Sequence, residues 1–150
     1  MVVLRHLIYT MANITKYLEK AFLNHSVGLT LFSKPTNTYA ALFTTSPTVN
    51  YTIGTTDGLE IGTSPRPQIS WNAAVASTDL TNSSSIKNSN SIAWSSISSN
   101  GNPITTIGVF DSPTIGSGSL LWFGPLSTSV TLTTSDTFTI PANSLTLTLG

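Results

Sequence analysis

From Pro35 to the C-terminal glycine, apolar residues recur at every second position in short runs, and most runs are bounded by Gly, Pro, Asn, Asp or Ser. A period of two places alternate side chains on opposite faces of an extended backbone. Such segments fold only when strands pair and bury one face, so the chain is committed to a β architecture. The pattern predicts strands at 38–44, 50–54, 66–72, 84–88, 91–97, 105–111, 119–124, 129–133, 136–140 and 144–150. In the last of these, "SLTLTLG", Leu145, Leu147 and Leu149 are expected on one face and Thr146 and Thr148 on the other.

Upstream of Pro35 the period changes. In "ANITKYLEKAFLNH" the residues Ile14, Tyr17, Leu18, Ala21 and Phe22 fall on one helical stripe, opposite Lys16, Glu19 and Lys20. Asn13 is the expected N-cap, and Gly28 lies just beyond the expected end. The fold class that follows is mainly β, an antiparallel β-sandwich of two sheets with one short N-terminal α-helix. Its core is expected from Leu42, Trp71, Trp94, Ile107, Val109, Leu121, Phe138, Leu145 and Leu147.

A length of 150 residues fits one domain, 1–150, with 1–25 as an N-terminal arm and helix. Roughly a third of the residues are Ser or Thr, well above ordinary usage. Even so, 39% hydrophobic residues and a formal net charge of +0 argue for a packed chain rather than a disordered one. The Ser- and Asn-rich stretch 77–102 is accordingly read as surface strands and loops, with Ile86, Ile92, Trp94 and Ile97 interspersed.

Charge excludes several functions. The six basic residues, Arg5, Lys16, Lys20, Lys34, Arg66 and Lys87, are scattered and form no phosphate-neutralising stripe, so nucleic acid is not an expected partner. Zero net charge removes self-repulsion and favours life in an assembly. The opening "MVVLRHLIYTM" has a faint likeness to a signal sequence, but Arg5 and His6 interrupt it, and it is read as unprocessed. No stretch approaches 18 consecutive apolar residues, and no membrane partner is expected.

Catalytic patterns are equally sparse. There are no cysteines, His6 and His25 stand in no metal-binding spacing, and no GxSxG elbow occurs. Asp57, Glu60, Asp79, Asp111 and Asp136 are isolated from one another, and turn chemistry accounts for most of them. "DGLE" at 57–60 has too few oxygen ligands for a calcium loop. The expectation is no enzyme, no cofactor and no metal. In "IGVFDSPTIGSGSLLWFG", 107–124, the glycines lie between two strands rather than between a strand and a helix. The stretch is therefore read as a β-hairpin whose 111–119 turn has an architectural role. Trp71, Trp94, Trp122, Tyr39 and Tyr51 could form the platform of a carbohydrate-binding module, although each also fits a strand core.

Three stretches together resemble a family of small tailed-phage virion proteins, labelled tail fibre proteins and in some phages capsid decoration proteins. "MANITKYLEKAFLNH" (11–25) and "TYAALFTTSPT" (38–48) are similar to the family's opening helix and its "TYVALFT..PT" strand. "IGVFDSPTIGSGSLLWFGPLSTSVTLTTSDTFTIPANSLTLTLG" (107–150) is similar to its "GIFDA..GGNLLW.G.L" block and the strands that follow. Two departures stand out: family members often start where Met11 stands, and "SSNGN" (98–102) replaces an aromatic "DWG". The apolar residues 1–10 then read as a docking arm, with Val2, Val3, Leu4, Leu7, Ile8 and Tyr9 as its partner-binding residues. The resemblance implies a non-enzymatic virion protein. The favoured form is a capsid decoration or cement protein whose partners are the major capsid protein and copies of itself. The alternative is a tail fibre or tail-tip protein meeting a host surface glycan.

Overall fold

The computed structural model describes residues 2–4, 9–11, 13–54, 58–62, 65–76, 83–95, 97 and 101–149. Among these the strands are β1 (Val2–Leu4), β2 (Tyr9–Met11), β3 (Asn13–Ile14), β4 (Thr38–Thr45), β5 (Leu59–Ile61), β6 (Gln68–Ile69) and β7 (Val75–Ala76). They continue with β8 (Ser84–Lys87), β9 (Ile92–Trp94), β10 (Ile104–Phe110), β11 (Leu120–Val130), β12 (Thr137–Ile140) and β13 (Leu145–Leu149). A helix, α1 (Lys16–Ser26), lies between β3 and β4. The described residues are mainly β, with 43% of them in strands and 9% in helix.

The described strands form three hydrogen-bonded sheets. The largest runs β3-β11-β10-β4-β5, with β6 also on β4; a second runs β2-β13-β8-β7 and a third β1-β12-β9. Pairing is antiparallel except at the N-terminus, where β1 joins β12 and β2 joins β13 in parallel. The hydrophobic cluster draws Leu42, Phe43, Ile107, Val109 and Phe110 from the large sheet and Trp94, Phe138, Ile140 and Leu145 from the others. A fully buried phenylalanine such as Phe43, Phe110 or Phe138 is worth about 1.5–3 kcal/mol over leaving it exposed.

Several expectations need correcting. Asn13 is not the helix cap, because its backbone is taken by β3, opposite Phe123. Thr15 caps instead: its hydroxyl oxygen accepts from the Leu18 N–H at 3.5 Å, while the hydroxyl donates to the Leu120 carbonyl at 2.7 Å. Of the predicted helical stripe only Leu18 is buried, since α1 meets the domain chiefly along β11. Residues 50–54 form turns rather than a strand, with the Tyr51 N–H donating to the Thr48 carbonyl at 3.1 Å. Tyr51 still packs its ring edge-on to Phe43 and Phe110. The 119–124 strand runs on to Val130, taking in the first part of the expected 129–133 strand.

The alternation expected in β13 fails at both ends. Thr146 is buried and Leu149 is half exposed, because β13 is an inner strand between β2 and β8 and is covered on both faces near Leu145 but not at its tip. The 77–102 stretch is less superficial than its composition implies, since Asn88, Ile92 and Ile97 are completely buried. Of the expected core, Trp71 is only half-buried and packs against the cluster from outside, while Leu121 is buried outside it.

Candidate functional site

The hairpin is formed as the spacing requires. β10 and β11 pair antiparallel, with Ile107 opposite Gly124 and Val109 opposite Trp122. Asp111 begins the turn and closes it: its Oδ1 accepts from the Ser119 N–H at 2.6 Å, and its own N–H donates to the Ser119 carbonyl at 3.3 Å. Inside the turn the Ser117 N–H donates to the Thr114 carbonyl at 3.1 Å.

The turn is also clamped from below. The Arg66 guanidinium donates to the carbonyls of Ser112 and Ser117 at 2.9 and 3.0 Å. Its Nε and Nη2 donate to the two carboxylate oxygens of Glu60 at 2.6 and 2.7 Å, a bidentate pair. The guanidinium carbon lies 3.7 Å from the centroid of the Phe110 ring. With the Arg66 and Glu60 side chains only 1% and 8% exposed, the pair belongs to the interior and leaves no free charge for a ligand.

Two glycines in the turn are separable by experiment. Gly116 has φ +77 and open space around its α-carbon, whereas Gly118 has φ +84 and a Cβ there would collide with the Ser112 Cβ. Gly116→Ala is expected to cost about 1 kcal/mol, and Gly118→Ala about 2 kcal/mol or more. Urea unfolding of the two variants checks the order, which would be reversed or erased if the turn were slack.

The Asp136 and His25 side chains bond to groups close by in the sequence. The Thr133 N–H and hydroxyl both donate to Asp136 Oδ2, at 2.9 and 2.8 Å. These bonds, the backbone one foremost, hold the Asp136 carboxyl below its ordinary range. A lowered folded value means the contribution is fully present above the unfolded carboxyl value near 3.9 and is lost as pH falls through the folded one. Asp136→Asn is therefore expected to lower stability at neutral pH and to change little at a pH below the folded carboxyl value, so that the acid limb flattens, as urea midpoints at the two pH values will show. His25 Nδ1 accepts from the Phe32 N–H at 3.3 Å. His6, Asp57 and Asp79 lie outside the described residues. Among the described residues no three His, Cys, Asp or Glu side chains converge to hold a metal ion.

No exposed aromatic platform forms from the five rings considered. Trp94 is buried, Trp71, Trp122 and Tyr51 pack against the core, and Tyr39 is half-buried. Trp71 further donates its indole N–H to Thr38 Oγ1 at 2.8 Å.

The six arm residues expected to meet a partner are divided. Val2, Val3 and Leu4 form β1, with Val3 opposite Phe138, and Tyr9 opens β2 opposite Leu145. Leu7 and Ile8 lie outside the described residues. A surface that the period analysis missed lies on α1 and the loop after it: Leu23, Val27, Leu29 and Leu31 are 61%, 69%, 76% and 86% exposed. The available signal was the absence of any Asp, Glu, Lys or Arg from 21 to 33.

The profile of a protein family described as "Podophage GP4 fiber I protein gp80" matches residues 13–148, and the chain belongs to that family. It is thus a bacteriophage structural protein and a virion component. A search of curated proteins found no match to the chain.

Proposed function

We propose that the chain is a capsid decoration protein, which binds outside the assembled shell between major capsid protein subunits and cements them. The observation that carries this reading is the closed core, which gathers strands from residue 40 to residue 147 into one cluster. A fibre obtains reach from coiled-coil heptads or repeated β segments. The described residues are instead spent on one compact unit, whose shape suits the junction between neighbouring subunits. A specific contact of that kind needs about 1,200–2,000 Å² in total, and repetition over a symmetric shell reinforces it.

In this reading the segment with Val2, Val3, Leu4, Leu7, Ile8 and Tyr9 docks on the shell, adding partner contacts to strands already paired with β12 and β13. A second reading, a tail fibre component, is favoured by the words "fiber I protein" in the family description. Imaging particles made without the chain separates the two. Loss of density across the shell, with rupture at lower temperature, is expected. Intact heads lacking a tail feature would move the protein to the fibre.

A further inference from the structure

Three parts of the chain meet around a cavity of about 260 Å³: Tyr17 of α1, Lys34 and Thr36 of the segment before β4, and Asp111 of the hairpin turn all line it. Each wall is pinned. The start of α1 is fixed by the Thr15 and Lys16 N–H groups, which donate to the carbonyls of Leu121 and Val49 at 3.1 and 2.8 Å. The turn is held by the Arg66 guanidinium and by the Arg66 N–H, which donates to the Pro113 carbonyl at 2.7 Å. The approach to Lys34 is tied to α1 through Phe32, whose ring lies edge-on to Phe22 with centroids 5.3 Å apart. The cavity is therefore preformed.

Two charges on its lining are unpaired. Asp111 Oδ1 takes the Ser119 N–H, but Oδ2 accepts no hydrogen bond from the described residues, and Lys34 is in no ion pair with Asp111 or any other of them. Tyr17, outside the five rings considered above, is 53% exposed. A second cavity, of about 430 Å³, shares Tyr17, Phe32 and Ser33 with the first.

We propose that the first cavity binds a neutral pyranose ring of a glycan, with the Tyr17 ring against its C–H face, Asp111 accepting from its hydroxyls and Lys34 donating to them. The lining selects that chemistry. An anionic ligand would suit Lys34 but be repelled by Asp111, and a cationic one would meet the reverse. An apolar ligand would strip water from both charges and return no hydrogen bond. A hydroxyl both donates and accepts, so neighbouring hydroxyls of one ring satisfy the carboxylate and the ammonium together. The C–H face of the same ring meets an apolar surface on the exposed tyrosine. The second cavity leaves room for the next ring of the glycan. This site stands whether shell or tail carries the domain.

Saturation-transfer NMR on the full-length chain tests the proposal, using the methyl glycosides of glucose, galactose, mannose, rhamnose and N-acetylglucosamine, with N-acetyl-dialanine methylamide as a peptide probe. At least one glycoside is expected to bind with a millimolar dissociation constant, as suits a few hydrogen bonds to a single ring. Tyr17→Ala and Asp111→Asn should each weaken that binding at least about tenfold. Tyr17→Phe, which keeps the ring, and Thr128→Ala, outside the lining, should leave it unchanged. Circular dichroism and melting of all four variants should match the parent, because Tyr17 is exposed and an amide oxygen at 111 can still accept from the Ser119 N–H. No transfer to any of the glycosides, binding untouched by Tyr17→Ala, or tighter binding of the peptide probe would overturn the proposal.

Discussion

Replacing Arg66 with methionine is expected to lower stability by about 3–5 kcal/mol, because it leaves the buried Glu60 carboxylate without its bidentate partner. In a domain of this size that corresponds to a fall in Tm of about 10 °C. Glu60→Gln should cost a comparable amount by stranding the guanidinium. The double variant Arg66→Met, Glu60→Leu should recover much of the loss, since an apolar pair often replaces a buried ion pair at little cost. Recovery should stop short of the parent, because the carbonyls of Ser112 and Ser117 still lack their donor. Urea midpoints of the four proteins, at unchanged slope, measure each step. Equal stability of parent and Arg66→Met would mean that the hairpin turn holds without its clamp.

Asn88→Leu is expected to cost about 2–4 kcal/mol for a different reason, the orphaning of buried groups on both sides of one amide. Asn88 Oδ1 accepts from the Leu145 N–H at 2.8 Å, and its Nδ2 donates to the carbonyls of Asn90 and Pro141 at 2.7 and 2.9 Å. Two carbonyls on one side and an N–H on the other fix the orientation of the amide. Its backbone binds the same turn, donating to the Leu145 carbonyl and accepting from the Asn143 N–H. The side chain thus ties the end of β8 to the turn that starts β13. Hydrogen exchange at the Leu145 amide should accelerate in the leucine variant together with the loss of stability. Acceleration without destabilisation would limit the role of Asn88 to local order.

The contrast between these two positions and the hairpin shows what local pattern can convey. The pairing of β10 with β11 was legible because the two runs, the turn residues and the register all lie within about twenty residues, where period and turn chemistry act directly. The buried character of Trp94, Phe138 and Leu145 was legible from alternation. Arg66 was not, because its partners at Ser112 and Ser117 lie 46 and 51 positions away, and a lone arginine carries no mark of its burial. Asn88 was hidden by neighbours of its own kind, since a Ser- and Asn-rich stretch reads as surface whichever residue is turned inward. The helix boundary moved because one residue, Thr15, serves both as cap and as tether to β11, a tertiary contact with no local signature. The exposed apolar residues at the end of α1 and in the loop after it were missed because Leu23 and Val27 lie off the helical stripe, and Leu29 and Leu31 belong to no periodic element.

Placement on the shell is tested most directly by counting copies of the chain in purified particles, by quantitative mass spectrometry with the major capsid protein as internal standard. Decoration requires a fixed whole-number ratio to the capsid subunits or capsomers, and that ratio is expected to persist after tails are removed. A handful of copies that depart with the tail would contradict the shell placement, and absence of the chain from the particles would contradict its place in the virion.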